Sequence, residues 1–399
     1  MNQLVIVGAG PAGLSAAIAA AKNGVNVTVI DEFMKPGGRL LGQLHEESNG
    51  IWWNGVDEAT NLFNEAIEFH IQFQFETSVH HVKKHSNHWD IQTDKGMFKS
   101  QALLVATGAA EHSIPLPGWT LPGVMSIGAA QVMANVHHVK PGHHGIIIGI
   151  NVLSIAIARE LKLAGVQLES IVLPSCNLLN KEASQPGVVF QKLAKLAHLA
   201  PSPLFKMGGF LTNKLSFLEK LVVRSFPKNG LKAWGIPIQI RRAVIEILGE
   251  EKVEGVKVAD ITPSGVIMKG TEKIIDVDFV CIAGGLYPLT ELIGVTACPF
   301  KFIPSLGGHV PVHNEQMQTP VEKLYVAGNI TGIESAKVAK AQGKVAGLSV
   351  AHDLHYLQDH NAIDDAVQHV KKMRDHALIQ FHPDINKGRN ELNGASITN

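Results

Sequence analysis

Short β-branched apolar runs alternate along this chain with glycine clusters and with alanine-rich stretches. Leu4-Val5-Ile6-Val7 is the first such run and predicts a buried parallel strand. Gly8-Ala9-Gly10-Pro11-Ala12-Gly13 follows at once, and Leu14 to Lys22 is helix-favouring. Asn23-Gly24 ends that helix, and Val25 to Ile30 predicts a second strand closing on Asp31. Strand, glycine loop, helix, strand and terminal acid in this order predict a Rossmann-type dinucleotide-binding unit.

Each glycine has a physical task there. Gly8 makes the tight turn, Gly10 lets the backbone approach a pyrophosphate, and Gly13 allows close packing of helix on strand. Pro11 and Ala12 open the helix, whose free N–H groups and dipole favour negative charge. Asp31 is placed to accept hydrogen bonds from ribose hydroxyls, and Glu32 follows it.

The same pattern returns 141 positions later. Ile146-Ile147-Ile148-Gly149 lies on Val5-Ile6-Val7-Gly8, and Gly165-Val166 lies on Gly24-Val25. In this echo Gly10 becomes Asn151, Gly13 becomes Ser154 and Asp31 becomes Val172. A side chain at the phosphate position and an apolar residue at the ribose position predict a second Rossmann-like domain that binds NAD(P) poorly or not at all.

Three further features bear on which dinucleotide the first unit takes. Lys35-Pro36-Gly37-Gly38-Arg39 gives a flexible loop with a cation suited to a second pass over the pyrophosphate. Leu103-Leu104-Val105 runs into the small-residue turn Ala106-Thr107-Gly108. Lys323 to Val326 predicts a strand ending in Ala327-Gly328-Asn329, and Ser335 to Ala351 predicts a helix. In order and character these resemble the signatures of the two-dinucleotide-binding-domain flavoproteins, which include the pyridine nucleotide–disulfide reductases. The resemblance implies FAD as cofactor. It implies that the residue after Gly328, normally an acid and here Asn329, bonds the ribityl chain, and that the helix start near Ser335 and Ala336 lies against the flavin pyrimidine.

Two longer stretches resemble a narrower group. They are Gly118-Trp119-Thr120-Leu121-Pro122-Gly123-Val124 with Gly128-Ala129-Ala130-Gln131, and Cys281 to Leu292 with Gly307-Gly308-His309-Val310-Pro311-Val312. Both are similar to the FAD-binding α subunits of heteromeric amino-acid and amine dehydrogenases, such as opine oxidase, dye-linked proline and hydroxyproline dehydrogenases, sarcosine oxidase and hydrogen cyanide synthase. That likeness implies an electron-transferring subunit, an amine or amino-acid substrate and, as partner, a second flavoprotein subunit. Many such subunits carry a C-terminal cysteine cluster for a [2Fe–2S] centre. No cysteine follows Cys298, so the iron–sulfur relay is expected to be absent or to reside in a separate small subunit.

The fold class expected is α/β. An FAD-binding Rossmann-like domain, a parallel sheet with helices, is built from residues 1–115 and 280–355. A second Rossmann-like domain, of degenerate NAD(P) type, is inserted over 116–279. Its stretch 176–235 has helical patterning and reads as extra covering, with a lid or docking surface as the alternative. Residues 356–399 form a polar tail expected to be mobile.

Composition narrows the function further. At 399 residues the chain exceeds what one hydrophobic core serves. Lys+Arg and Asp+Glu both total 35, so no basic field exists to attract nucleic acid or anionic lipid. The apolar start lacks a basic leader region, and Ile146 to Ala158 is too short to span a bilayer. A soluble cytoplasmic protein is expected. Cys176, Cys281 and Cys298 are scattered, which excludes a C-x-x-C redox pair. The twenty histidines include the adjacent pairs His80-His81, His137-His138 and His143-His144 but no H-E-x-x-H, so no metal site is expected.

His45-Glu46-Glu47 could supply an acid or base near a flavin, and Trp52-Trp53 could line a cavity, but a solvated loop and core packing account for them equally. No catalytic residue is assigned. The function expected is FAD-dependent oxidation as one subunit of an amino-acid or amine dehydrogenase. The alternatives are a self-sufficient NAD(P)H-dependent flavin reductase and a non-catalytic nucleotide-binding scaffold subunit.

Overall fold

The computed structural model describes residues 1–46, 50–195, 223–377 and 380–396. The chain divides into two compact units. One comprises Met1–Gln43, Asn54–Ala110 and the chain from Leu286 onward; the other comprises Leu44–Trp53 and Glu111–Gly285.

The first unit is a seven-stranded sheet. Its spatial order is Gln72–Gln74, Val27–Ile30, Asn2–Val7, Gly96–Val105, Trp89–Thr93 and Val79–Lys84, with Leu324–Val326 also paired to Gly96–Val105. The long strand Gly96–Val105 joins two kinds of pairing. Residues 100–105 run parallel to Asn2–Val7, whereas residues 96–100 run antiparallel to Trp89–Thr93. Parallel strands buried on both faces need continuous apolar sequence, and Leu4, Val5, Ile6, Leu103, Leu104 and Val105 are all inaccessible to solvent.

Helices Pro11–Lys22 and Ala336–Asp353 cross on one face of this sheet. Their backbones approach so closely that a Cβ on Gly343 would overlap the Ala12 carbonyl, and one on Gly347 would overlap that of Ala16. Small residues here are a packing requirement.

The second unit repeats the plan with eight strands. Val124–Ser126, Phe279–Ile282, His144–Ile148, Gln167–Pro174 and the start of Ile236–Leu248 are parallel neighbours, and Gly255–Asp260 and Lys273–Asp276 extend the sheet antiparallel. Within 176–235, Pro186–Lys195 is a helix and Leu231–Ala233 a strand. The centre of that stretch, 196–222, lies outside the described residues. The polar tail differs from expectation: Asn361–Asp375 and Ile385–Ser396 are helices. They are held by Ile363, Val367, Val370, Ile385 and Leu392, apolar residues placed sparsely enough to be overlooked in a polar sequence. Among the described residues no helix is long and apolar enough to cross a membrane.

Candidate functional site

The predicted glycine loop follows strand Asn2–Val7 directly. Gly8 has φ of 108°, and a Cβ there would overlap the Ala106 carbonyl oxygen. Gly13 faces the Gly8 carbonyl just as tightly. Gly10 is different. It caps the helix that begins at Pro11, no side chain caps that end, and a Cβ on it would meet nothing within 4 Å. Strand and helix are clamped together while the space in front of the helix N-terminus stays open. That is the cradle a pyrophosphate requires.

Several predicted residues surround this cradle. Gly38 lies against Gly10, with 3.1 Å from its added Cβ to the Gly10 Cα, and Gly37 N donates to Ala9 O at 2.8 Å. Asp31 Oδ2 accepts from Ala9 N at 2.5 Å and Oδ1 from Phe33 N at 2.8 Å, so its carboxylate also fixes the loop. Burial raises the Asp31 pKa, opposed by these two N–H donors. Glu32 is exposed beside it. Arg39 Nε and Nη2 donate to Ala109 O at 3.2 and 3.0 Å, which commits that edge of its guanidinium to the protein. Thr107 Oγ1 likewise donates to Leu289 O at 2.7 Å, and Gly108 O accepts from Leu289 N at 3.1 Å. The turn Ala106-Thr107-Gly108 therefore anchors the returning chain.

Strand Leu324–Val326 delivers Gly328, whose φ is 80° and whose Cβ would lie 2.8 Å from that of Ala12. Asn329 Oδ1 accepts from Glu334 N at 3.2 Å. Ser335 caps helix Ala336–Asp353 through Val338 N, so Ala336 is the first residue of an 18-residue helix.

The residues that support this turn were not among those singled out from the sequence. Gln342, 1% exposed, accepts from Gly328 N at 3.0 Å and donates to Glu334 Oε2 at 3.4 Å. Buried Glu334 pairs with Arg374 Nε at 2.5 Å and with Arg389, and these two guanidinium groups hold its carboxyl below the usual range despite burial. Arg389 Nη1 also donates to Thr331 O at 2.7 Å. The tail helices thus brace the turn after Asn329. A lone glutamine among alanines and glycines was the one available signal.

His45 and Glu46 fall in the second unit, where Glu46 pairs with Arg159 at 2.6 Å and His45 stacks on Trp53 at 6.0 Å. The Arg159 guanidinium lies over both Trp52 and Trp234, at 4.8 and 5.0 Å. Glu47 lies outside the described residues.

The echo in the second unit has the same turn but a closed end. A Cβ on Gly149 would overlap the Ala283 carbonyl, as one on Gly8 would that of Ala106. Asn151 caps helix Val152–Leu163 with a full capping box through Ser154, and its Nδ2 donates to Ala283 O at 2.9 Å. Two backbone amides of this helix end, Asn151 N and Ser154 N, are thereby satisfied from within. The ribose position needs a correction. Gly149 N bonds Val172 O as Gly8 N bonds Ile30 O, so Leu173, not Val172, stands where Asp31 stands. A bulge, with one extra residue in Gln167–Pro174 opposite Gly145–Ile147, shifts the register by one. Both residues are fully buried and apolar.

The model of the pyridine nucleotide-disulphide oxidoreductase family matches residues 2–185 and 220–343. The chain belongs to this family. It binds FAD and is an FAD-dependent oxidoreductase. An opine oxidase subunit from Agrobacterium tumefaciens (strain Ach5) is 27% identical over 88% of the chain, which spans only 65% of that protein. The HcnB subunit of hydrogen cyanide synthase from Pseudomonas aeruginosa is 26% identical over 96% of the chain and 77% of its own length. In fold the chain is similar to L-proline dehydrogenase from P. horikoshii, with TM-score 0.65 at 17% identity, covering 92% of the chain and 58% of that protein. Lactococcus lactis thioredoxin reductase superposes with TM-score 0.63 at 15% identity, over 90% of the chain and all of its own. All three cysteines are free, and burial pushes the Cys298 thiol up to about 11 and that of Cys281 higher still.

Proposed function

We propose that this chain is the electron-transferring FAD subunit of an amino-acid or amine dehydrogenase complex. The observation that carries the proposal is the contrast between the two helix N-termini, open at Gly10 and self-capped at Asn151. One unit is built to hold a dinucleotide, and the other has lost the means to supply reducing equivalents from NAD(P)H. The names of the similar proteins, subunits of an opine oxidase and of a hydrogen cyanide synthase, support an amine-type donor and a partner subunit.

In this reading Gly8, Gly10, Pro11, Ala12 and Gly13 hold the pyrophosphate of FAD, with Gly38 and Arg39 closing the loop over it. Asp31 and Glu32 receive the ribose, and Ala106, Thr107 and Gly108 form the floor. Gly328 and Asn329 take the ribityl chain, where the Asn329 amide Nδ2 can donate, and Ala336 opens the helix whose dipole favours negative charge. Bound FAD supplies a two-electron acceptor. The protein's own task is to place and insulate it, since no protein dithiol is available. The partner expected is a second flavoprotein subunit, with the iron–sulfur relay either absent or carried by a separate small subunit.

Co-expression with a candidate second flavoprotein subunit tests this. Anaerobic addition of secondary amino acids should bleach the flavin absorption of the complex and leave that of the isolated chain unchanged. Bleaching of the isolated chain to the same extent would contradict the subunit role.

A further inference from the structure

A second site lies in the antiparallel part of the first unit's sheet. Strands Val79–Lys84 and Trp89–Thr93 pair with Lys83 opposite Asp90 and Lys84 opposite Trp89. Alternation then puts Trp89, fully buried, on the core face and His88 and Asp90 together on the other. The turn closes with His85 N donating to His88 O at 2.8 Å, which brings His85 onto the same face.

The two imidazoles stack nearly parallel, 4.8 Å apart at 7°, and both point Nε2 at one carboxylate. His85 Nε2 lies 3.0 Å from Asp90 Oδ2 and His88 Nε2 lies 3.1 Å from Oδ1. Yet His85 Nε2 and Asp90 Oδ1 are shut off from solvent without a directed hydrogen bond. The three ligand atoms lie within 4.8 Å of one another. Ligands at about 2.0–2.1 Å from a tetrahedral ion stand roughly 3.3 Å apart, close to the separations between these nitrogens and the carboxylate.

We propose that His85, His88 and Asp90 bind a divalent transition-metal ion, best matched by zinc, that pins this hairpin turn. Water completes the coordination on the exposed side, and the imidazoles bind as neutral ligands. In a helix the spacing H-x-x-H-x-D would put His85 and His88 on one face and Asp90 on another, and it lacks the i,i+4 pairing of a helical His motif. In a hairpin the same spacing converges.

The experiment uses the full-length FAD-loaded chain stripped with chelator and desalted. Calorimetric titration with zinc chloride should give one site per chain with Kd of about 1 µM or tighter. Cobalt(II) should produce visible ligand-field bands beyond the flavin absorption. The double variant His85→Ala/His88→Ala and the size-conserving His88→Gln should each weaken binding by about tenfold or more with unchanged flavin spectrum, while His80→Ala/His81→Ala should bind as the parent does. No binding by the parent tighter than about 0.1 mM, parent-like binding by both site variants, or equal loss in the His80/His81 control would overturn the assignment.

Discussion

Asn151 Oδ1 accepts from the backbone nitrogen of Ser154 at 2.9 Å, and Ser154 Oγ returns the bond to the nitrogen of Asn151, also at 2.9 Å. This reciprocal cap occupies in the second unit the place that Gly10 leaves open in the first. Asn151→Ala should lower the stability of the chain by about 1–2 kcal/mol, read as a shift of the denaturant midpoint, since the cap and the bond to Ala283 are both lost. Flavin content should be unaffected.

The glycines of the first loop should separate into two classes. Gly13→Ala drives a Cβ into the Gly8 carbonyl and should destabilise the fold by roughly 1–3 kcal/mol or prevent soluble expression. Gly10→Ala meets no protein atom, so the apoprotein should melt as the parent does while FAD affinity falls by about tenfold or more. Equal thermal destabilisation of the two apoproteins would show that Gly10 is structural.

Glu334 neutralises Arg374 and Arg389 in a buried cluster. Glu334→Gln keeps the size but leaves two guanidinium groups without a countercharge, which should cost on the order of 3–5 kcal/mol. Limited proteolysis should then cut first between residues 361 and 396, and FAD retention should fall with it.

Much of this arrangement was legible because it is local. The turn, helix and strand from Leu4 to Asp31 are specified by neighbours in sequence, and the glycines could be given separate tasks from the motif alone. What escaped was set by distant contacts or by register. The bulge that replaces Val172 by Leu173 leaves no mark in an apolar run. Arg374 and Arg389 reach Glu334 from 40 and 55 positions away, out of a segment whose polarity read as a mobile tail. Arg39 and Thr107 were identified as polar groups near a phosphate and a flavin, but their bonds to Ala109 and Leu289 depend on where the chain returns.

In the second unit Glu160 is buried, accepting from Gln131 Nε2 at 2.8 Å, Asn135 Nδ2 at 2.7 Å and Leu44 N at 3.4 Å. Burial raises its pKa to about 7, against the pull of these donors. A carboxyl raised in the folded state contributes stability below its unfolded pKa, near 4.5, that is lost as pH rises to about 7. The loss is on the order of 3 kcal/mol. Glu160→Gln should flatten this dependence, so its melting temperature should gain on the parent between pH 5 and pH 8. A constant difference across that range would show that Glu160 titrates normally.

We propose that the first unit holds FAD and that the second does not deliver reducing equivalents from a nicotinamide, a combination that one kinetic trace can check. The trace is stopped-flow absorption at the flavin maximum after anaerobic mixing of the FAD-loaded chain with excess NADH or NADPH. The bound flavin should stay oxidised over minutes with either nucleotide and be bleached at once by dithionite. Bleaching by NADH or NADPH within seconds would contradict this reading of the two units.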